Sequence, residues 1–254
     1  IDSDSTGGLA LSFGDHTSIL QLIEEIAYRR GLGRILADGV VKAAEALGNG
    51  ASEFASAIQG LETPAWGPRG SAGMGLAYIT GDRGGCHQRG FPIGYETSGS
   101  WPRGEMVDGW HVEGKGVLVG WEQNLLAALY SLTICEFGRS GISLDTYRKL
   151  LESATGVAMS EKEFLRTGER IWSLIRLFNL REGWSQDSLS MPGRFKEALP
   201  SGVMKGHSFS DDDLAAMLAD YNAARGWDGD GRPLPGTLAG LGVDALLEPM
   251  FGRE

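Results

Sequence analysis

The run Gly81-Asp82-Arg83-Gly84-Gly85-Cys86-His87-Gln88-Arg89-Gly90 sets two guanidinium groups, an imidazole and a thiol among four glycines. A turn this rich in glycine exposes backbone N–H groups, and Arg83 and Arg89 bracket His87. Such a turn suits a carboxylate or a phosphate, although surface ion pairs would use the same arginines equally well. His87 reads in two ways: as a hydrogen-bonded loop histidine, or as a group that moves a proton or orients a substrate, because imidazole titrates near neutrality. Adjacent Cys86 and His87 make a poor pair of metal ligands on their own. No CxxC, HExxH or carboxylate facial triad accompanies them. The other cysteine, Cys135, falls near the end of an apolar stretch, where a lone thiol is usually a small buried hydrophobe. A cluster would need three further thiolates, and this chain offers only Cys86.

The elements that must position these groups are helical. Asp15 or Thr17 caps a first helix with Ile19, Leu22, Ile23, Ile26 and Ala27 inward, and Gly31 ends it. A second helix is expected over Arg34–Leu47. A short third one, Ser52–Gln59, would bury Phe54, Ala55 and Ile58. From Gly60 to His111 the periodicity breaks at Pro64, Pro68, Pro92 and Pro102, and only Ala72–Thr80 reads as helix. Three tryptophans in that stretch argue for an ordered, functional loop region. Lys115–Phe137 is apolar nearly all round and should be central, closed by Gly138. Leu144–Ala154 follows a Ser143 cap, Ser160 to Glu163 forms a capping box opening a long helix to Asn179, and Asp211–Ala224 follows Ser210. A last helix is expected over Gly242–Met250. No period-two run is convincing, so the fold class is all-α and multi-helical, with a long loop-rich central segment.

The chain has 254 residues and a formal net charge of -10, which argues against a general nucleic-acid surface. Two cysteines provide no disulfide framework, and no apolar run approaches the length of a membrane span. A cytoplasmic location follows as the expectation. Asp228-Gly229-Asp230-Gly231 lacks the distal Glu of a calcium loop and reads as a turn.

Several segments together carry a resemblance. They are Gly60-Leu61-Glu62-Thr63-Pro64-Ala65, Pro68-Arg69-Gly70, and Gly73-Met74-Gly75-Leu76-Ala77-Tyr78 leading into Asp82-Arg83-Gly84-Gly85-Cys86-His87. Further on come Arg170-Ile171-Trp172, Arg176 to Gly183, Pro192-Gly193-Arg194-Phe195, Tyr221 and Arg225 to Gly231. In order and spacing the chain resembles the C-terminal helical part of the aldehyde ferredoxin oxidoreductase family of tungsten enzymes. The resemblance implies a tungsten (or molybdenum) bis-pyranopterin centre beside a [4Fe-4S] cluster, oxidising a small aldehyde to a carboxylic acid. Electrons would leave to ferredoxin or another electron-transfer protein. It puts the active-site histidine at His87, a pterin-facing arginine at Arg89 and the fourth cluster cysteine at Cys135. Residues 1–112 would be a helical domain carrying the pocket loops, and 113–254 a C-terminal helical domain.

The family's N-terminal domain and its CxxCxxxC segment do not occur in this sequence. The chain therefore looks like the helical domains alone, with Ile1 a cut end, and by itself it is expected to hold no cofactor and show no activity. One motif departs from the family. Where the family reads Asp-x-x-Gly-Leu-Cys, this chain reads Tyr130-Ser131-Leu132-Thr133-Ile134-Cys135. Pterin contact there would fall to the Tyr130 hydroxyl or to backbone near Ile134. That loss favours, as an alternative, a non-catalytic helical assembly or binding domain with a vestigial site. Within enzymes, 2-hydroxy acid or acyl substrates are alternatives, and a homo-oligomer is compatible with the sequence.

Overall fold

The computed structural model describes residues 6, 8, 9, 11–102 and 106–246. Among them are eleven α-helices and one two-stranded hairpin, so the chain is all-α as expected. No helix among the described residues is long and apolar enough to cross a membrane.

The hub is α6, Lys115–Ser131, which packs against α4 (Ala72–Thr80), α8 (Glu161–Arg181) and α10 (Asp211–Arg225). Two glycines make these crossings possible. A Cβ on Gly168 of α8 would lie 1.8 Å from the Asn124 carbonyl oxygen, and one on Gly116 of α6 would lie 2.2 Å from the Tyr221 nitrogen. The helices therefore meet backbone to backbone, closer than side chains permit. Every residue of α4 is buried, and Met74, Leu76, Tyr78 and Ile79 pack with Val119 and Met217. Capping boxes at Ser160/Glu163 and Ser210/Asp213 open α8 and α10, as their sequences dictate, each worth about 1 kcal/mol. Ser143 caps α7, Leu144–Thr155.

The N-terminal third differs from expectation. α1, His16–Tyr28, is capped by Asp15, but left-handed Arg29 (φ 52°) closes it ahead of Gly31. It buries no residue fully, and Ile19 and Ile23 are exposed, because among the described residues it packs mainly against the four-residue α2, Gly33–Leu36. The single helix expected over 34–47 is two, since Gly39 at φ 90° breaks it before α3, Val40–Leu47. The Glu62 carboxylate then accepts the Val40 N–H at 2.7 Å and serves as a cap from a distance. The helix expected over 52–59 is instead a 3-10 turn, Ala51–Phe54, followed by β1, Ala57–Ile58. β1 pairs antiparallel with β2, Leu61–Glu62, across Gln59 and Gly60, both at positive φ as a tight hairpin turn requires. Phe54 is exposed as a result, while Ile58 is buried.

Periodicity also missed α5 (Ile93–Ser98), α9 (Gly193–Lys196) and α11 (Pro235–Leu241). Gly242 caps the end of α11 and does not start a helix; the part of that expected helix beyond residue 246 lies outside the described residues. At 228–232 the Asp228 carboxylate accepts the N–H groups of Asp230 and Arg232, which is the turn expected there.

Candidate functional site

The glycine-rich run leaves α4 at Gly81 and forms a 3-10 turn at His87–Arg89. Its arginines are already matched inside the chain. Arg89 grips Asp82 through two hydrogen bonds, the Nε one at 2.8 Å, and Arg83 donates to the Cys86 sulfur at 3.0 Å. The anion facing the guanidinium fork of Arg89 is thus the carboxylate seven residues before it. Asp82 holds the guanidinium pKa above its ordinary value. The Asp82 carbonyl oxygen is itself fixed by the Asn179 amide of α8 at 2.9 Å. Gly90 backs onto α6, where a Cβ would stand 3.1 Å from Gln123 Cγ.

Beneath the turn lies a buried polar network. Gln123 donates to Thr80 and accepts from Tyr221 and Arg225, each of the latter at 2.6 Å, and the Trp172 indole donates to Tyr221. Arg225 lies under the rings of Trp172, Tyr221 and Trp227. Nearby Arg176 is stacked 3.8 Å from the Trp184 ring centroid, and burial lowers its pKa to about 10. Only the resemblance singled out Trp172, Arg176, Tyr221, Arg225 and Trp227; nothing local in the sequence joined them to one another.

His87 is half-buried. Its ring meets Phe91 edge-on at 5.9 Å, and among the described residues its nitrogens have no hydrogen-bond partner. The structure brings Gln88 and Arg89 of the His87 turn against Tyr130. The Tyr130 hydroxyl lies 2.7 Å from the Gln88 carbonyl oxygen and within hydrogen-bond reach of the Glu136 carboxylate, and Arg89 lies over its ring at 5.9 Å. One proton serves two acceptors there, and burial together with Glu136 pushes the phenol pKa up.

The apolar helix ends at Ser131, short of the expected Phe137, so Ile134 and Cys135 lie in the connection beyond it. The turn is closed by Thr133 at φ 57°, a left-handed conformation that glycine would adopt without cost. Ile134 packs its side chain against the core cluster that contains Leu126, Leu129 and Tyr147. Cys135 is exposed, which corrects the expectation of a small buried hydrophobe; the buried cysteine is Cys86. No group of three or more His, Cys, Asp and Glu side chains among the described residues is placed to hold a metal. Exposed Cys135 is compatible with one ligand position of a metal site completed by groups from elsewhere.

A 3-10 turn, Glu136–Ser140, follows Cys135 and is tied down by an ion pair that periodicity did not reveal. Arg139 meets Glu122 at 2.5 Å, and Glu122 is wholly buried on α6. Burial pushes the Glu122 pKa up to about 7, against the opposing pull of Arg139. A carboxylate in the middle of an otherwise apolar helix was the available signal. A second such pair, Lys115–Glu96 at 2.6 Å, fastens α6 to α5, and the same carboxylate receives the Gly73 N–H at the start of α4. A cleft of about 770 Å³ opens beside Arg139 between Phe91, Trp101, Trp121, Leu125, Leu129 and Tyr147. His87 does not line it; Phe91 stands between the two.

Residues 1–243 match the family described as aldehyde ferredoxin oxidoreductase, domains 2 and 3. Over 228 residues, 89% of this chain, the sequence is 39% identical to a tungsten-containing aldehyde ferredoxin oxidoreductase of Thermococcus kodakarensis. It is 38% identical over 224 residues to the enzyme so named in Pyrococcus furiosus, and 26% identical over 252 residues to an aliphatic sulfonate oxidoreductase, WOR-like subunit, of that organism. The chain spans 36% of the length of each of these relatives. Among solved structures, the active-site complex BamBC of benzoyl coenzyme A reductase shares the fold over the whole chain and 42% of its own. The TM-score is 0.68 and the identity 21%.

Proposed function

Because the chain belongs to the aldehyde ferredoxin oxidoreductase family, an oxidoreductase family, we propose that it forms the helical part of a cytoplasmic tungsten (or molybdenum) bis-pyranopterin enzyme that oxidises aldehydes. The net reaction is RCHO + H₂O → RCOOH + 2H⁺ + 2e⁻, with a [4Fe-4S] cluster passing electrons to ferredoxin. One observation carries this reading: Tyr130 ties the His87 turn to the segment in which an exposed cysteine, Cys135, follows a left-handed Thr133.

The metal–pterin group and the cluster supply the two-electron oxidation and its outlet when bound. This chain's residues do the rest. His87 orients the aldehyde oxygen or takes the proton released at the substrate. Arg89, locked by Asp82, holds the turn rigid and would be this turn's arginine toward the pterin. Tyr130 and the backbone at Ile134 would help hold the pterin, and Cys135 would ligate the cluster. On this reading the remaining cluster ligands would come from outside this chain. Residues 1–112 bring the pocket loops and 113–254 the cluster side.

In the full-length protein, His87→Ala should lower kcat by about a hundredfold or more with metal content unchanged. Normal turnover with intact metal would remove the assigned role. A second reading has one observation behind it: Tyr130 stands where the family has aspartate, and its hydroxyl is spent on Gln88 and Glu136. On that reading the domain binds or assembles without catalysing. Full-length protein purified anaerobically without tungsten, molybdenum or iron would establish it in place of the first.

A further inference from the structure

The cleft beside Arg139 has the makings of a ligand site. Its volume, about 770 Å³, is within the range of sites that hold compact organic molecules. Trp121 meets Trp101 and Tyr95 edge-on, both at 6.0 Å, and this corner gives the wall a fixed shape. Arg139 lines the cleft with its side chain 18% exposed and is held from behind by wholly buried Glu122. Its named partners, Glu122, Tyr95 and the Phe91 carbonyl, take no more than three of its five N–H donors.

The charges then decide what kind of ligand fits. Glu122 already balances Arg139, and Glu136 and Glu161 also line the cleft, so the excess is negative. An anion brought here meets like charge in a partly dry wall, which costs more than Arg139 returns. A neutral molecule with an apolar body and one acceptor oxygen meets no such cost. Phe91 links the cleft to the histidine, because its ring faces His87 at 5.9 Å while its side chain also lines the cleft.

We propose that this cleft binds an uncharged aromatic or bulky aliphatic carbonyl compound, its body against Trp121 and Leu125 and its oxygen accepting from Arg139, and that it turns away the corresponding carboxylate. Resting on the oxidoreductase reading, the cleft would gather the aldehyde and discharge the acid. Two probes of one shape test it by calorimetry on the full-length protein: 2-acetylnaphthalene, a neutral ketone, and 2-naphthoate, its anionic counterpart. The ketone should bind at least about tenfold more tightly than the anion. Ser98→Trp fills the mouth from an exposed position without removing a core side chain, and it should weaken the ketone by about tenfold or more with helix content unchanged by circular dichroism. The proposal is overturned if naphthoate binds as well as the ketone, if Ser98→Trp leaves ketone binding intact, or if the ketone fails to bind. It is equally overturned if binding fades with rising protein concentration, because the cleft is then covered by a second copy. The probes need no metal centre. Failure here leaves the oxidoreductase reading to metal analysis, and failure of that analysis leaves the binding result standing.

Discussion

The turn at 82–90 and the segment at 130–140 touch through Tyr130, yet they are secured differently. In the first, each charged side chain has its partner within the chain: Arg89 on Asp82, Arg83 on the Cys86 sulfur, with Asp82 pinned in turn by Asn179 of α8. In the second, one buried ion pair, Arg139–Glu122, anchors the turn, while Cys135 and Phe137 face outward. The turn reads as a finished wall. The segment leaves a thiol and an apolar ring exposed at the surface of the described residues. The proposed function needs such a pairing, a rigid face beside a single free ligand.

The comparison is most easily broken at Asp82. Asp82→Ala leaves the mostly buried Arg89 guanidinium without its acceptors and should cost about 3 kcal/mol, measured by chemical denaturation. A loss under about 1 kcal/mol would mean that the turn is not prebuilt. The second anchor should instead respond to pH. The Glu122 pKa in the folded chain, about 7, exceeds its ordinary value of 4.5, so the folded state holds this proton more firmly than the unfolded state does. Its contribution is fully present below about pH 4.5 and is lost as pH rises through about 7. The melting temperature should fall by a few degrees across that window from this group, and the slope should flatten in Glu122→Gln. The smallest effect belongs to Thr133. Thr133→Gly relieves a left-handed threonine and should change stability by about 1 kcal/mol or less, in the stabilising direction. Destabilisation would show that the threonine side chain holds the turn through its hydrogen bond to the Leu132 carbonyl.

Which parts of this were legible in the sequence follows from the range of the forces involved. Ser160 with Glu163 and Ser143 announced their helices because capping is decided within four residues. The end of α6 was not legible: the expected stop was Gly138, whereas a left-handed Thr133 closes the helix and opens the connection that carries Cys135. The β1–β2 hairpin has two residues per strand, too few to show a period. Asp82 stood in the same run as Arg89, but a shared run does not reveal a shared hydrogen bond. Glu122 was conspicuous within an apolar helix, yet nothing local pointed to Arg139 as its partner. The approach of Tyr130 to the His87 turn joins residues forty-two apart in sequence, and only family resemblance had associated them.

The proposed function makes Cys135, and not Cys86, this chain's contribution to a cluster. It is tested most directly by iron analysis of full-length protein purified anaerobically, comparing Cys135→Ser with Cys86→Ser. Loss of about four irons per protein in Cys135→Ser, with the wild-type amount retained in Cys86→Ser, is the predicted result. Undiminished iron in Cys135→Ser would contradict the account.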